Sequence, residues 1–260
     1  MKSGNTDNYS KLYTKDYLLN INGGGEEFSA GKISRRLQQA IDLVDFKQSD
    51  KILDLGAGCG EFGYALRDKV EEIVLSDYSD DALAIMRERI DENEKVRIEK
   101  INAKKISYPD NYFDKIFLLE VIEHLYPNEA DIVLREIKRV LKKNGELVIS
   151  TSPNKYLSYP QYFIAEKIFK LKLKEYHVNE FSFFSFQKKI RKHFPYCKIY
   201  CYQEKLWFDI CLKEAAVPKF VKSLVHSFNV VYDWKPFVYL RDRSPLNRFL
   251  AIHYNAVARK

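Results

Sequence analysis

The chain has 260 residues, with 43 Lys/Arg against 36 Asp/Glu for a formal net charge of +7, and 14% aromatic residues. That length accommodates one α/β domain with an elaboration. Four cysteines, Cys59, Cys197, Cys201 and Cys211, form no C-x-x-C pair, which excludes a zinc ribbon or redox motif. A polar Met1–Ser10 without an apolar h-region, and the lack of any run of membrane-spanning length, lead to the expectation of a cytoplasmic protein.

In chain order, Tyr9, Tyr13 and Tyr17 recur every four residues, so a helix would place them on one side. Gly23-Gly24-Gly25 follows as a hinge-like stretch. The strongest signal is Lys51-Ile52-Leu53-Asp54-Leu55-Gly56-Ala57-Gly58-Cys59-Gly60, an apolar run that reaches an acid and then alternating glycines. This pattern predicts a strand, a tight turn and a helix from about Glu61, whose free N–H groups point back at the loop. A dinucleotide-binding turn needs a third glycine where Glu61 stands, and a phosphate-cradling P-loop needs Lys and Ser/Thr after Gly60. Neither fits. Asp54 beside a loop of donors suits a ligand with an ammonium group.

The chain here resembles the class I S-adenosylmethionine-dependent methyltransferases, well over about residues 30 to 155 and loosely beyond. The resemblance implies a doubly wound, mostly parallel seven-stranded α/β sheet with an antiparallel last strand. It implies that Gly56, Ala57, Gly58 and Gly60 wrap the methionine part of the cofactor, with Asp54 holding its amino group. It also implies that the N-terminal segment, residues 1–30, closes over the cofactor and brings a Tyr near the methyl group, although plain packing of the tyrosines fits the same spacing.

The next run, Glu72-Ile73-Val74-Leu75-Ser76-Asp77, predicts a strand ending in an acid about 20 residues past the glycines, where a carboxylate can accept both ribose hydroxyls. Tyr78 is placed to lie against adenine, and Ser79 to cap the following helix. Val96 to Ala103 predicts a third strand. Its tip carries Asn102, beside Ala103, where the family usually has an Asp that accepts from the adenine amino group. The amide oxygen of Asn102 can still accept that bond.

A fourth strand, Lys115 to Leu119, leads into Glu120-Val121-Ile122-Glu123-His124-Leu125. On a helical turn Glu120, Glu123 and His124 would share one face, with His177 able to join them in space. Three roles fit this turn. His124 can act as a general base. The two carboxylates and two imidazoles can hold a divalent metal, a role not favoured, as in the small-RNA 3′-end and ubiquinone-pathway O-methyltransferases that the motif resembles. Alternatively Glu120 only lines the cofactor pocket while His124 packs.

Asn128 to Lys143 shows a helical apolar stripe ending at Asn144-Gly145, a plausible C-cap. Glu146 to Thr151 reads as a fifth strand, and residues 152–180 as the substrate-side region. Ala251 to Lys260 reads as the last strand, pairing with Lys198-to-Tyr202. Residues 204–247 are then an insertion between them.

Charge divides the chain. Residues 1–150 hold 23 Lys/Arg against 28 Asp/Glu, whereas residues 151–260 hold 20 against 8 and 24 of the 37 aromatics. An anionic or a lipid- or sugar-linked small substrate would account for that, as would RNA or peripheral membrane contact through residues 217–240. The expected function is methyl transfer from S-adenosyl-L-methionine to such a small acceptor at oxygen. The alternatives are an RNA methyltransferase with a metal-assisted site and a non-catalytic protein that kept the cofactor fold. Oligomeric state is not legible.

Overall fold

The computed structural model describes residues 13–16, 18–19, 33–152, 154–159, 178–202, 223, 226–227, 230 and 234–260. Seven strands form one sheet: β1 (Lys51–Leu55), β2 (Glu72–Asp77), β3 (Val96–Lys100), β4 (Phe113–Leu118), β5 (Leu141–Thr151), β6 (Tyr196–Tyr202) and β7 (His253–Arg259). Their order is β3-β2-β1-β4-β5-β7-β6. Pairings among β1 to β5 are parallel, and β7 runs antiparallel between β5 and β6. This is the Rossmann-like methyltransferase fold that the sequence led us to expect.

Strand periodicity divides the core into two layers. Leu53, Leu55, Ile116 and Leu118 face one side, where they meet α4 (Pro127–Val140) and α5 (Phe183–Arg191) through Val133, Ile137, Phe186 and Ile190. Ile52, Ile73, Leu75 and Phe117 face the other side, against α1 (Arg35–Ile41), α2 (Glu61–Leu66) and α3 (Asp80–Arg89). A parallel sheet covered on both faces must be apolar on both, which is why these strands read as continuous hydrophobic runs. Strand order reverses between β1 and β4, and that reversal opens a crevice at the strands' carboxyl ends.

The cap expected at Ser79 holds, the structure adds two more, and the C-cap expected at Asn144-Gly145 fails. Ser34 accepts from Leu37 N, Ser79 from Ala82 N and Ser182 from Ser185 N, each opening its helix. Helix α4, however, ends at Val140 rather than at Asn144-Gly145. Leu141 leaves the helix with φ −73° and ψ 134° and already pairs with Phe113. The register then jumps to Lys115 with Glu146, so Lys142, Lys143, Asn144 and Gly145 form a strand irregularity rather than a cap. Pairing with β4 outcompeted the C-cap signal.

The tip of β6 and the start of β7 are direct partners, Tyr202 with His253, so the connection 203–252 leaves and returns at one end of the sheet. Within it the structure describes α6 (Lys235–Arg243) and α7 (Asn247–Leu250). Phe220, Val221, Leu224, Val225 and Phe228, the apolar positions of the 217–240 segment, lie outside the described residues. Among the described residues no helix is long and apolar enough to cross a membrane.

Candidate functional site

The glycine loop is shaped by backbone conformation before any ligand is considered. Gly56, Gly58 and Gly60 all have positive φ, at 86°, 57° and 84°. At Gly56 a Cβ would also fall 2.5 Å from Val121 Cγ2, so a side chain there is excluded twice over. Gly56 and Ala57 both donate their N–H to Ser76 O, at 2.8 and 2.9 Å, tying the loop to β2. At Gly58 a Cβ would meet nothing within 4 Å, so the loop is open on that side.

Two carboxylates stand over this opening. Asp54 is 2% exposed, and its Oδ2 has no hydrogen-bond partner. Burial first, and then the charge of Asp77, push its pKa up to about 8. A buried acid with an unused oxygen is costly unless something completes it, and an ammonium group would do so. Asp77 is held at the tip of β2 by Gly58 N (3.1 Å) and Ser79 N (2.9 Å). Burial raises its pKa, opposed by those N–H groups and by that of Tyr78. The N–H bonds fix the orientation of the carboxylate at the rim, as a ribose-binding acid requires.

The adenine end is less committed. Tyr78 is exposed, with Lys100 Nζ 5.6 Å from its ring centre. Asn102 Oδ1 already accepts from Lys104 N at 2.9 Å, closing the turn after β3. One lone pair of that oxygen serves the chain itself. Ala57 and Ala103 are half-buried, packed against the two core layers.

The turn after β4 differs from the expected helix face. Glu120 has φ +56° and lies outside any helix; only Ile122–His124 form a single 3₁₀ turn. Glu120, Glu123 and His124 therefore do not line one helical face. Glu120 turns toward β5 and β7: Ser150 Oγ donates to its Oε1 at 2.7 Å, and Ser152 Oγ donates to its Oε2. His253 Nε2 lies 3.1 Å from Glu120 Oε1, and Arg36 Nη1 lies 3.6 Å from Oε2. Burial opposes the charge of Glu120, but His253, Arg36 and Ser152 outweigh it and hold its pKa well below the usual carboxylate range. Glu123, 2% exposed, has the opposite fate. Burial and then the charge of Glu120 raise its pKa well above normal. The charge of Glu120 thus favours the protonated form of its neighbour Glu123.

His124 points elsewhere, toward the N-terminal segment. Its ring meets Tyr13 edge-on at 5.6 Å between centroids. The same segment docks along the site: Tyr13 O accepts from Ser79 Oγ (2.9 Å), and Lys15 N donates to Asp81 (2.9 Å). Leu18 is buried, and its carbonyl receives Cys59 Sγ–H from the glycine loop at 3.7 Å. Tyr9, Tyr17, Gly23, Gly24, Gly25 and His177 lie outside the described residues. Among the described residues no group of three His, Cys, Asp or Glu side chains is placed to share a metal ion.

The structure thus brings Asp54, the glycine loop, Asp77, Glu120 and His124 to one edge of the sheet. It adds Arg36, Ser150, Ser152 and His253, which the sequence reading did not single out. A signal existed for His253: an antiparallel last strand must begin at the edge where the parallel strands end.

Comparisons with known proteins agree with this geometry. Residues 53–149 match the family described as a methyltransferase domain. A ubiquinone/menaquinone biosynthesis C-methyltransferase, UbiE, of Shewanella sp. (strain W3-18-1) is 29% identical over 141 residues, covering 52% of this chain and 53% of that protein. The chain spans about half the length of the curated relatives it matches. Two solved structures share the fold across nearly the whole chain. One is a chain from the complex between the Haloferax volcanii Trm112 methyltransferase activator and a methyltransferase (TM-score 0.65, 14% identity, 94% of this chain and 96% of that one). The other is an Archaeoglobus fulgidus SAM-dependent methyltransferase (TM-score 0.59, 20% identity, 97% and 100%). Residues 53–149 thus match a methyltransferase domain, and the glycine loop and the two acids at the strand tips lie within that match.

Proposed function

We propose that the chain methylates a small acceptor carrying an anionic, sugar-linked or lipid-linked group, at a hydroxyl oxygen. The observation that carries the cofactor half of this reading is the buried Asp54 oxygen with no partner, facing a loop opened by Gly58. Asp54 would hold the amino group of S-adenosylmethionine, Asp77 its ribose, and the backbone of residues 56–60 its methionine part. The bound cofactor supplies an already activated methyl group as a sulfonium. What remains for the protein is alignment, exclusion of water and handling of one proton.

His124 is the residue suited to that proton. It stands beside Tyr13, at the junction of the N-terminal segment and the cofactor loop, and an imidazole nitrogen can accept a proton from a hydroxyl. The docking of Tyr13, Lys15 and Leu18 onto Ser79, Asp81 and Cys59 supports the reading of residues 1–30 as a cover over the site. His177 stays a candidate partner from the substrate side.

A second reading, methyl transfer to carbon, is favoured by the name of the curated relatives. The same base serves both. Removing a proton from a ring hydroxyl gives an anion that can attack through oxygen or through the neighbouring ring carbon, which then loses its own hydrogen as a proton. An RNA acceptor with metal assistance is less well supported, because both oxygens of Glu120 are engaged by Ser150, Ser152 and His253.

The test begins with the cofactor. Calorimetric titration with S-adenosylhomocysteine is expected to give a dissociation constant on the order of micromolar, with no heat from nicotinamide dinucleotide. No binding of either would overturn the reading. Incubation with methyl-labelled S-adenosylmethionine and hydroxylated aromatic acids would follow, with acid hydrolysis or NMR separating O-methyl from C-methyl products.

A further inference from the structure

At the far end of the same edge lies a cavity of about 500 Å³. One wall is formed by residues 199–202 at the end of β6 together with Phe183 of α5; the other by residues 243–248 with Arg243, Asn247 and Arg248. Its size is that of a small-molecule site. Among the described residues that line it there is no Asp or Glu, and among the described residues no ion pair joins Arg243 or Arg248 to a carboxylate. Arg248 instead lies over the Phe183 ring, 5.3 Å from its centre. The backbone that carries it is fixed from below, since Tyr254 Oη donates to Arg248 O at 2.8 Å.

Tyr202 alternates with Cys201 along β6 and so points to the opposite face of the sheet, where its ring centre lies 6.3 Å from that of His253, which reaches Glu120 at 3.1 Å. Two guanidinium groups near the Phe183 ring and the apolar Ile199–Cys201 face, with no acid among the described lining residues, are complementary to a ligand with a flat or apolar body and an anionic end. Residues 151–260, which supply every described lining residue, hold 20 Lys/Arg against 8 Asp/Glu.

We propose that this cavity binds a small organic phosphate or carboxylate with an aromatic or apolar body, and that it anchors the anionic end of the methyl acceptor. The second part rests on the methyltransferase reading given above; the first does not. Arg243 and Arg248 are the specificity residues, gripping the anion while Phe183 and Ile199 flank the body. The acceptor's reactive end is then directed along the strand tips toward Glu120 and His124.

The probe is 1-naphthyl phosphate, titrated into the full chain by calorimetry with and without S-adenosylhomocysteine. Inorganic phosphate and vesicles containing phosphatidic acid serve as comparison arms. Saturable binding of 1-naphthyl phosphate, tighter than inorganic phosphate, is expected. Each of Arg243→Gln and Arg248→Gln should weaken it by about tenfold, the loss of one charge-assisted contact. S-adenosylhomocysteine affinity should stay unchanged in both variants, which also shows that they are folded. Binding of 1-naphthyl phosphate that ignores both substitutions would overturn the site. So would equal affinity for inorganic phosphate, or an arginine-dependent response confined to vesicles, which would make this a lipid surface contact. If the anion binds as expected but S-adenosylhomocysteine does not, the site stands and the methyltransferase reading falls.

Discussion

At the β1–β2 end, the carboxyl edge of the sheet presents two acids, Asp54 and Asp77, on a loop of backbone N–H groups with positive φ. At the β7–β6 end it presents His253 and Tyr202, with Arg243 and Arg248 beyond. The first region is assembled from one continuous stretch of chain and β2, so its geometry is local. The second is assembled from segments more than two hundred residues apart, Arg36 to His253, and depends on the antiparallel insertion of β7. On the reading proposed here the first would hold a cation and a sugar, and the second an anion. Glu120 stands between them, ionised because the second region surrounds it with His253 and Arg36. A methyl donor with a fixed structure calls for a local, rigid cradle, whereas acceptor choice is left to the assembled end.

The sharpest way to break this contrast is Asp77→Ala. Removing the acid that Gly58 and Ser79 orient is expected to weaken S-adenosylhomocysteine binding by about 100-fold, the value of two hydrogen bonds to a charged group. An unchanged dissociation constant in calorimetry would move the ribose elsewhere. Binding of the anionic probe should be unaffected.

Asp54 gives the next largest effect, and it is pH-dependent. Its pKa is raised in the folded state, to about 8 from an ordinary 3.8, so the folded protein without cofactor holds a proton that the unfolded chain releases. Its contribution to stability is therefore whole below about pH 4 and is lost as the pH rises toward 8. Asp54→Asn should remove that loss and stabilise the cofactor-free protein at pH 8.5 by a few kcal/mol, read by urea unfolding. It should also abolish a rise in S-adenosylhomocysteine affinity between pH 6 and 8. A wild-type affinity flat across that range would deny Asp54 its ammonium role.

At the assembled end, His253→Leu leaves Glu120 a carboxylate without its imidazole. A loss of about 1–3 kcal/mol in stability is expected. If urea unfolding shows no change, the His253 contact carries no energy. Glu123→Gln should be the mildest change, within about 0.5 kcal/mol in stability and near wild-type in cofactor affinity. A group already held neutral loses little when made an amide; a large effect would mean that Glu123 is charged after all.

The sequence by itself determined the α/β class, the buried parallel strands and the glycine turn, while the reversed last strand and the turn's cofactor role were implied by the family resemblance. It could do so because buried parallel strands are apolar over every residue and because positive φ selects glycine at fixed spacing. Both signals are local. Tertiary structure decided the rest. Leu141 left its helix because Phe113 offered a strand partner, and the expected C-cap became a strand irregularity. Glu120 left the expected helical face because Ser150, Ser152 and His253 offered its oxygens better partners than a helix turn would. His253 showed nothing in its local context that set it apart from a strand residue. Its role arises only when β7 slides between β5 and β6, because side-chain partners distant in sequence are chosen by the sheet's register and not by spacing along the chain.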